Sequence, residues 1–196
     1  MSQLVFATNN PHKIAEIKAQ LGDQYDFLSL KDIGCHEEIP ETTGTLRGNA
    51  LQKARHVLDN YGHDCFSEDT GLEVDALDGE PGVDTAYYAG PERSAEANNH
   101  KLLTALAGAT DRSARFRTFL CLLLDGETHY FEGITAGRIA TAPQGSNGFG
   151  YDPIFIPDDG DGRTGAEMSP AEKRAVSHRA RAMAKLQDFL AKRANG

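Results

Sequence analysis

Residues 115–140, RFRTFLCLLLDGETHYFEGITAGRIA, constrain the fold more than any other stretch. Two long runs of strand formers flank Asp125-Gly126, a dipeptide suited to a tight two-residue turn, so the segment reads as a β-hairpin. Its surroundings follow another pattern. LVFAT (4–8) is a short apolar strand ending in Asn9-Asn10-Pro11. A helix follows over 13–21, where Ile14, Ile17 and Leu21 fall at spacings of three and four. YDFLSL (25–30) reads as a second strand, and 34–44 as an acidic loop. Leu46, Ala50, Ala54, Val57, Leu58 and Tyr61 make a helical stripe that Gly62 ends. Another helix covers 95–106. Ser169-Pro170-Ala171-Glu172 is a capping box with proline at the first helical position. It opens helix that continues through Met183, Leu186, Phe189 and Leu190, with a break near Ser177. A hairpin set among strand–helix units requires a mixed sheet, hence one α/β domain over 1–196.

The formal net charge of −9 excludes general tracking of a nucleic-acid backbone, which needs a cation excess. An acidic chain can still take a small anion if its cations converge or a metal ion enters with the ligand. Cys35, Cys65 and Cys121 are spaced for neither a zinc site nor a disulfide framework, and read as free thiols in a reducing compartment. No apolar run approaches the roughly 18 residues of a membrane span. MSQLVFATNN has no basic region followed by a long apolar one, so no membrane partner and a cytoplasmic location are expected.

Within FSEDTGLEVDAL (66–77), Glu68 and Asp69 stand side by side between two short strands, CF (65–66) and LEVDAL (72–77), with a turn on Thr70-Gly71. Adjacent acids repel, so this is either a plain polar turn or a seat for a cation. Glu41, Glu68 and Asp69 offer the hard oxygen ligands that Mg²⁺ takes alongside substrate phosphates. Each acid alone also reads as a solvated loop carboxylate. TNNPHK (8–13) joins strand to helix, where free N–H groups and Lys13 make either an anion site or a routine polar turn. GSNGFG (145–150) lacks the strand-to-helix context of a phosphate loop and reads as a flexible turn before a strand, YDPIFIP. KRAVSHR (173–179) gathers Lys173, Arg174, His178 and Arg179, or else forms a solvated helix face. His36, His63, His100 and His129 belong to no constellation and read as surface residues. Together these segments point to a phosphorylated ligand with Mg²⁺.

Five pieces in order, FATNNPHK (6–13), PETTGTLRGNALQKA (40–54), SEDTGLEVDALDGEPGV (67–83), GFGYDPIF (148–155) and EKRAVSHRARA (172–182), resemble the inosine triphosphate pyrophosphatase family. The resemblance implies hydrolysis of ITP, dITP and XTP at the α-phosphate to a monophosphate and pyrophosphate. It implies Mg²⁺ dependence, a homodimer, and an elongated two-lobed α/β fold, with a central mixed sheet flanked by helices and an active-site cleft between lobes. Carried over by motif, Thr8, Asn9, Asn10, Pro11, His12 and Lys13 wrap the triphosphate, with Lys53 near the phosphates. Asp69 is the catalytic acid and Thr70 its hydroxyl neighbour. Asp69, Glu41 and Glu68 hold the metal. Phe149, Gly150, Tyr151, Asp152, His178 and Arg179 bind the base, with Lys173 beside them.

The chain also departs from the family pattern. Glu68 stands where many relatives carry Asp, Asn9 where Gly is common, and Gly48 where many have Glu, while Thr42 to Thr45 break the usual Glu-Thr-Gly order. These departures keep open an inactive purine-nucleotide-binding protein. A phosphatase releasing orthophosphate is a third reading.

Overall fold

The computed structural model describes residues 3–21 and 26–194. Tyr25, read as part of the second strand, and the side chain of Leu21 lie outside the described residues. In chain order the elements are β1 (Gln3–Phe6), α1 (Pro11–Leu21), β2 (Asp26–Ser29), α2 (Leu46–Tyr61) and β3 (Cys65–Val74). Then come α3 (Ala95–Ala105), β4 (Ser113–Leu124), β5 (Glu127–Ile139), β6 (Phe155–Pro157), α4 (Pro170–Val176) and α5 (His178–Ala194). The strands form one sheet in the order β2-β1-β3-β4-β5-β6. β1 runs parallel to β2 and β3, and β6 is antiparallel to β5, so the sheet is mixed as the hairpin requires. Asp125 and Gly126 take φ angles of 50° and 80°, the left-handed values a two-residue turn of this kind demands.

The chain packs as two compact units. The first takes the described residues within 1–69, 118–133 and 179–196, and the second takes 70–117 and 134–178. In the first unit the strands are buried on both faces, and the two-residue period of a strand sorts their side chains. Val5, Cys65, Cys121 and Leu123 join Ala50, Ala54 and Val57 of α2 in one core. Leu4, Phe6, Phe66, Leu120 and Leu122 join Ile17 of α1 and Ala182, Met183 and Leu186 of α5 in another. That is why FLCLLL is apolar without alternation. Phe6 and Phe66 stack at 4.6 Å, and full burial of a ring such as Phe66 contributes roughly 1.5–3 kcal/mol. The second unit closes around Leu72, Val74, Leu102, Leu106, Phe116, Ile139, Ile154 and Phe155.

Caps fall where the sequence places them. Gly62 ends α2 at φ 69°, Ser169 and Glu172 form the capping box of α4, and Ser177 separates α4 from α5. Two expectations fail. Residues 65–74 are one continuous strand, with no turn at Thr70-Gly71, and Asp75–Leu77 is a short 3₁₀ turn. The strand continues because both acids are matched by cations on separate faces. YDPIFIP yields a strand only over Phe155–Pro157, since Asp152–Ile154 forms a 3₁₀ turn around Pro153, which has no N–H for a ladder. Of the histidines read as surface residues, His63 and His129 are half-buried, the latter against the Phe189 ring, 4.3 Å between centroids. Among the described residues, no helix is long and apolar enough to cross a membrane.

Candidate active site

Consecutive strand residues face opposite ways, so β3 separates Glu68 from Asp69. Glu68 shares the parity of Phe66, toward α1 and α5. Asp69 shares that of Cys65 and Ser67, toward α2. Glu68 is fully buried. Arg179 Nε donates to its Oε2 at 2.8 Å and Nη2 to Oε1 at 3.3 Å. Lys13 Nζ lies 2.5 Å from Oε1, and Arg179 also pairs with Glu16. Burial pushes the Glu68 carboxyl up, but Arg179 and then Lys13 outweigh it and hold the group well below its ordinary 4.5.

Asp69 has a different setting. Its Oδ2 accepts from Asn49 Nδ2 at 3.1 Å, and its Oδ1 lies 3.4 Å from Lys53 Nζ. The same ammonium contacts Glu41. Thr43 donates to Asn49 Oδ1 from its backbone N–H at 3.1 Å and its hydroxyl at 2.9 Å, which fixes the amide with its N–H toward Asp69. Burial and then the neighbouring Glu41 raise the Asp69 carboxyl above its ordinary 3.8, although Lys53 opposes them. Lys53 stays above its ordinary 10.5 because Asp69 and Glu41 outweigh its burial. Two carboxylates therefore share one ammonium.

A hard divalent cation fits this pair. The donors are oxygens only, negative charge is in excess, and Glu41 is exposed at the rim. Engaging Glu68 as well would require displacing Lys13 or Arg179. Among the described residues, Glu41, Glu68 and Asp69 do not bring their oxygens within 4.8 Å of one another. The chain thus offers a partial ligand set that waters and phosphate oxygens would complete.

At the start of α1, Asn10 Oδ1 accepts from the N–H groups of His12 at 3.0 Å and Lys13 at 3.3 Å, and Thr8 Oγ1 accepts from Asn10 N at 3.2 Å. Two first-turn donors are therefore already capped. Asn9, Pro11 and His12 are exposed. Lys13 carries the charge of this segment, and Glu68 sets its position.

In the second unit, Asp152 Oδ2 accepts from Phe149 N at 2.8 Å and from Lys173 Nζ at 2.7 Å. That ammonium also sits 4.5 Å above the Phe149 ring, a cation–π contact. Gly148, at φ 73°, leaves room for Asp152, whose Oδ2 would lie 2.1 Å from an added Cβ. Tyr151 donates its hydroxyl to Thr85 O at 2.7 Å, and Asn99 Nδ2 donates to Gly150 O at 3.2 Å. The loop 148–152 is thus built and anchored, not a flexible turn. His178 stacks on Phe116 at 4.7 Å within this unit, whereas Arg179 turns its guanidinium to Glu68 in the first unit. Thr70 is half-buried, one residue beyond Asp69.

Sequence reasoning missed Glu16, Asn49 and Asn99. For Asn49 there was a signal. Leu46, Asn49, Ala50, Lys53, Ala54 and Val57 form the buried stripe of α2, so an amide and a lysine interrupt an apolar face. Buried polar groups require partners.

Against known proteins, a model of the Ham1 family matches residues 4–189. A dITP/XTP pyrophosphatase of Flavobacterium psychrophilum is 51% identical over 188 residues, covering 96% of this chain and 98% of that protein. A dITP/XTP pyrophosphatase of Porphyromonas gingivalis is 52% identical over 191 residues, covering 97% of this chain and 98% of that protein. The solved structure of the Staphylococcus aureus Ham1 protein superposes with a TM-score of 0.89 at 38% identity, covering 98% of this chain and all of that one. The chain belongs to the Ham1 family.

Proposed function

We propose that this chain hydrolyses ITP, dITP and XTP to the nucleoside monophosphate and pyrophosphate, and so clears deaminated purines from the nucleotide pool. The observation that carries the proposal is the near-full-length identity, about half of all positions, to two proteins named dITP/XTP pyrophosphatase. Relatives of this kind support metal dependence, and the oxygen-only pair Asp69 and Glu41 supports Mg²⁺ as the ion. A single catalytic domain, a homodimer and a cytoplasmic setting complete the reading.

Asp69 accepts a proton from the attacking water, whose oxygen bonds to the α-phosphorus as the α–β bridging bond breaks. A carboxylate raised by burial is a stronger base than a solvated one. The developing charge on pyrophosphate meets the ammonium groups of Lys13 and Lys53. Bound Mg²⁺ supplies further neutralisation of phosphate charge. Glu68 keeps Lys13 oriented, and the segment Thr8 to His12 lines the phosphates. Phe149 stacks on the purine, with Gly150, Tyr151, Asp152 and Lys173 as its frame and the His178-Arg179 segment beside it. Donors aimed at a 6-oxo group would face the amino group of adenine without an acceptor, whereas guanine keeps the 6-oxo group, so rejection of GTP has to act on its 2-amino group. Such a mismatch rejects an analogue by about 10⁴ or more.

The test incubates the purified chain with ITP, XTP, dITP, ATP and GTP, with and without Mg²⁺, and resolves products by phosphorus NMR. Pyrophosphate from the first three substrates alone, and only with Mg²⁺, is the expected result. Orthophosphate as the sole product would replace the proposal with a terminal phosphatase. Tight ITP binding without any product would replace it with an inactive nucleotide binder.

A further inference from the structure

Three side chains outside the proposed machinery converge on the opposite end of the loop that carries Glu41. The Cys35 sulfur, a Glu37 carboxylate oxygen and a His56 ring nitrogen lie within 4.8 Å of one another. We propose that they form a binding site for a thiophilic divalent transition ion of the Zn²⁺ class. Thiolate, imidazole and carboxylate together are the donor set for such an ion, whereas Mg²⁺ takes oxygen alone.

The frame is firm. Cys35 N donates to Leu30 O at 2.9 Å, and His56 projects from α2. His56 Nε2 is 2.8 Å from Glu37 Oε1. Tyr61 at the end of the same helix lies with its hydroxyl 2.8 Å from both Glu37 oxygens, an outer partner that orients the carboxylate. Exposure grades across the site. Cys35 is 1% exposed, the His56 side chain 22% and the Glu37 side chain 47%. An ion would enter over Glu37. Ligand atoms around a tetrahedral ion stand about 3.3–3.7 Å apart, so Glu37 must move outward by less than an ångström, which its exposure permits. Water takes the fourth position.

The charges balance, since one thiolate and one carboxylate offset the 2+ ion. Binding expels the Cys35 proton to solvent. The ion's own charge drives the deprotonation.

Co²⁺ serves as the spectroscopic probe for the full chain. One equivalent should bind with a thiolate-to-cobalt charge-transfer band, and Zn²⁺, but not Mg²⁺, should displace it. Cobalt on the carboxylates Asp69 and Glu41 gives no such band, so the two sites are distinguishable whatever the reaction. His56→Ala, at a half-exposed position, should bind at least about tenfold more weakly, and Cys35→Ser should lose the band. A wild-type spectrum without the thiolate band, or a band of unchanged affinity in His56→Ala, would overturn the proposal.

Discussion

On one face of β3 a fully buried Glu68 meets a guanidinium and an ammonium. On the other, Asp69 shares one ammonium with Glu41. The two residues are adjacent, carry the same group, and are driven in opposite directions, Glu68 down and Asp69 up. The pleat of the strand does this by sending each to a different helix. A saturated carboxylate in a dry site acts as an anchor. An under-compensated one retains affinity for a proton or a metal ion. Under the proposed function this contrast makes Glu68 the structural partner and Asp69 the reactive one, and each of the following variants tests that division.

The largest effect falls on turnover. Asp69→Asn should lower kcat for ITP by at least about 10³, near 4 kcal/mol of barrier, while its denaturation midpoint stays equal to wild type or rises. The amide removes a buried charge that the fold disfavours, and Lys53 keeps Glu41. Wild-type turnover in this variant would remove Asp69 from the base position and collapse the contrast.

Glu68→Gln should reverse the pattern and act first on stability. Removing one partner of a buried ion pair leaves Arg179 and Lys13 under-compensated, a loss of about 3–5 kcal/mol, read by urea denaturation at neutral pH. The acid limb gives a second check. The folded Glu68 carboxyl sits below its ordinary 4.5, so its contribution is complete above 4.5 and disappears as pH falls toward the folded value. The variant should lack that part of the acid sensitivity. A loss under 1 kcal/mol with an unchanged acid limb would show that Glu68 anchors nothing.

Local chemistry was readable in the sequence and long-range charge pairing was not. Asp125-Gly126, the Gly62 stop and the Ser169 capping box each act within a few residues, so the sequence places them well. FLCLLL marks a strand buried on both faces for the same reason. The Glu68-Asp69 turn was misread because the remedy for their repulsion is distant. Arg179 lies 111 residues away from Glu68, and no local pattern reports it. Asp69, Lys53 and Glu41 stand out through the family resemblance, but their grouping around one ammonium depends on α2 packing under β3. Cys35, Glu37 and His56 have no telling spacing, because a loop and a helix face bring them together.

The smallest effect sharpens the comparison most, because it alters Asp69 without removing it. Asn49 donates to Asp69 Oδ2 and favours the ionised carboxylate. In Asn49→Ala that donor is gone while burial and Glu41 remain, so the Asp69 pKa should climb further. Asp69 must be deprotonated to act as base, so activity rises with pH through this pKa. The acidic limb of kcat/KM should therefore move to higher pH, with the plateau at alkaline pH retained. Stability carries the same sign. A carboxyl raised by folding favours the protonated native state, so the variant should lose more stability than wild type as pH climbs from acid to neutral. An acidic limb that stays in place while the whole profile drops would assign Asn49 to holding the loop through Thr43. In that case burial and Glu41 alone would set the basicity of Asp69.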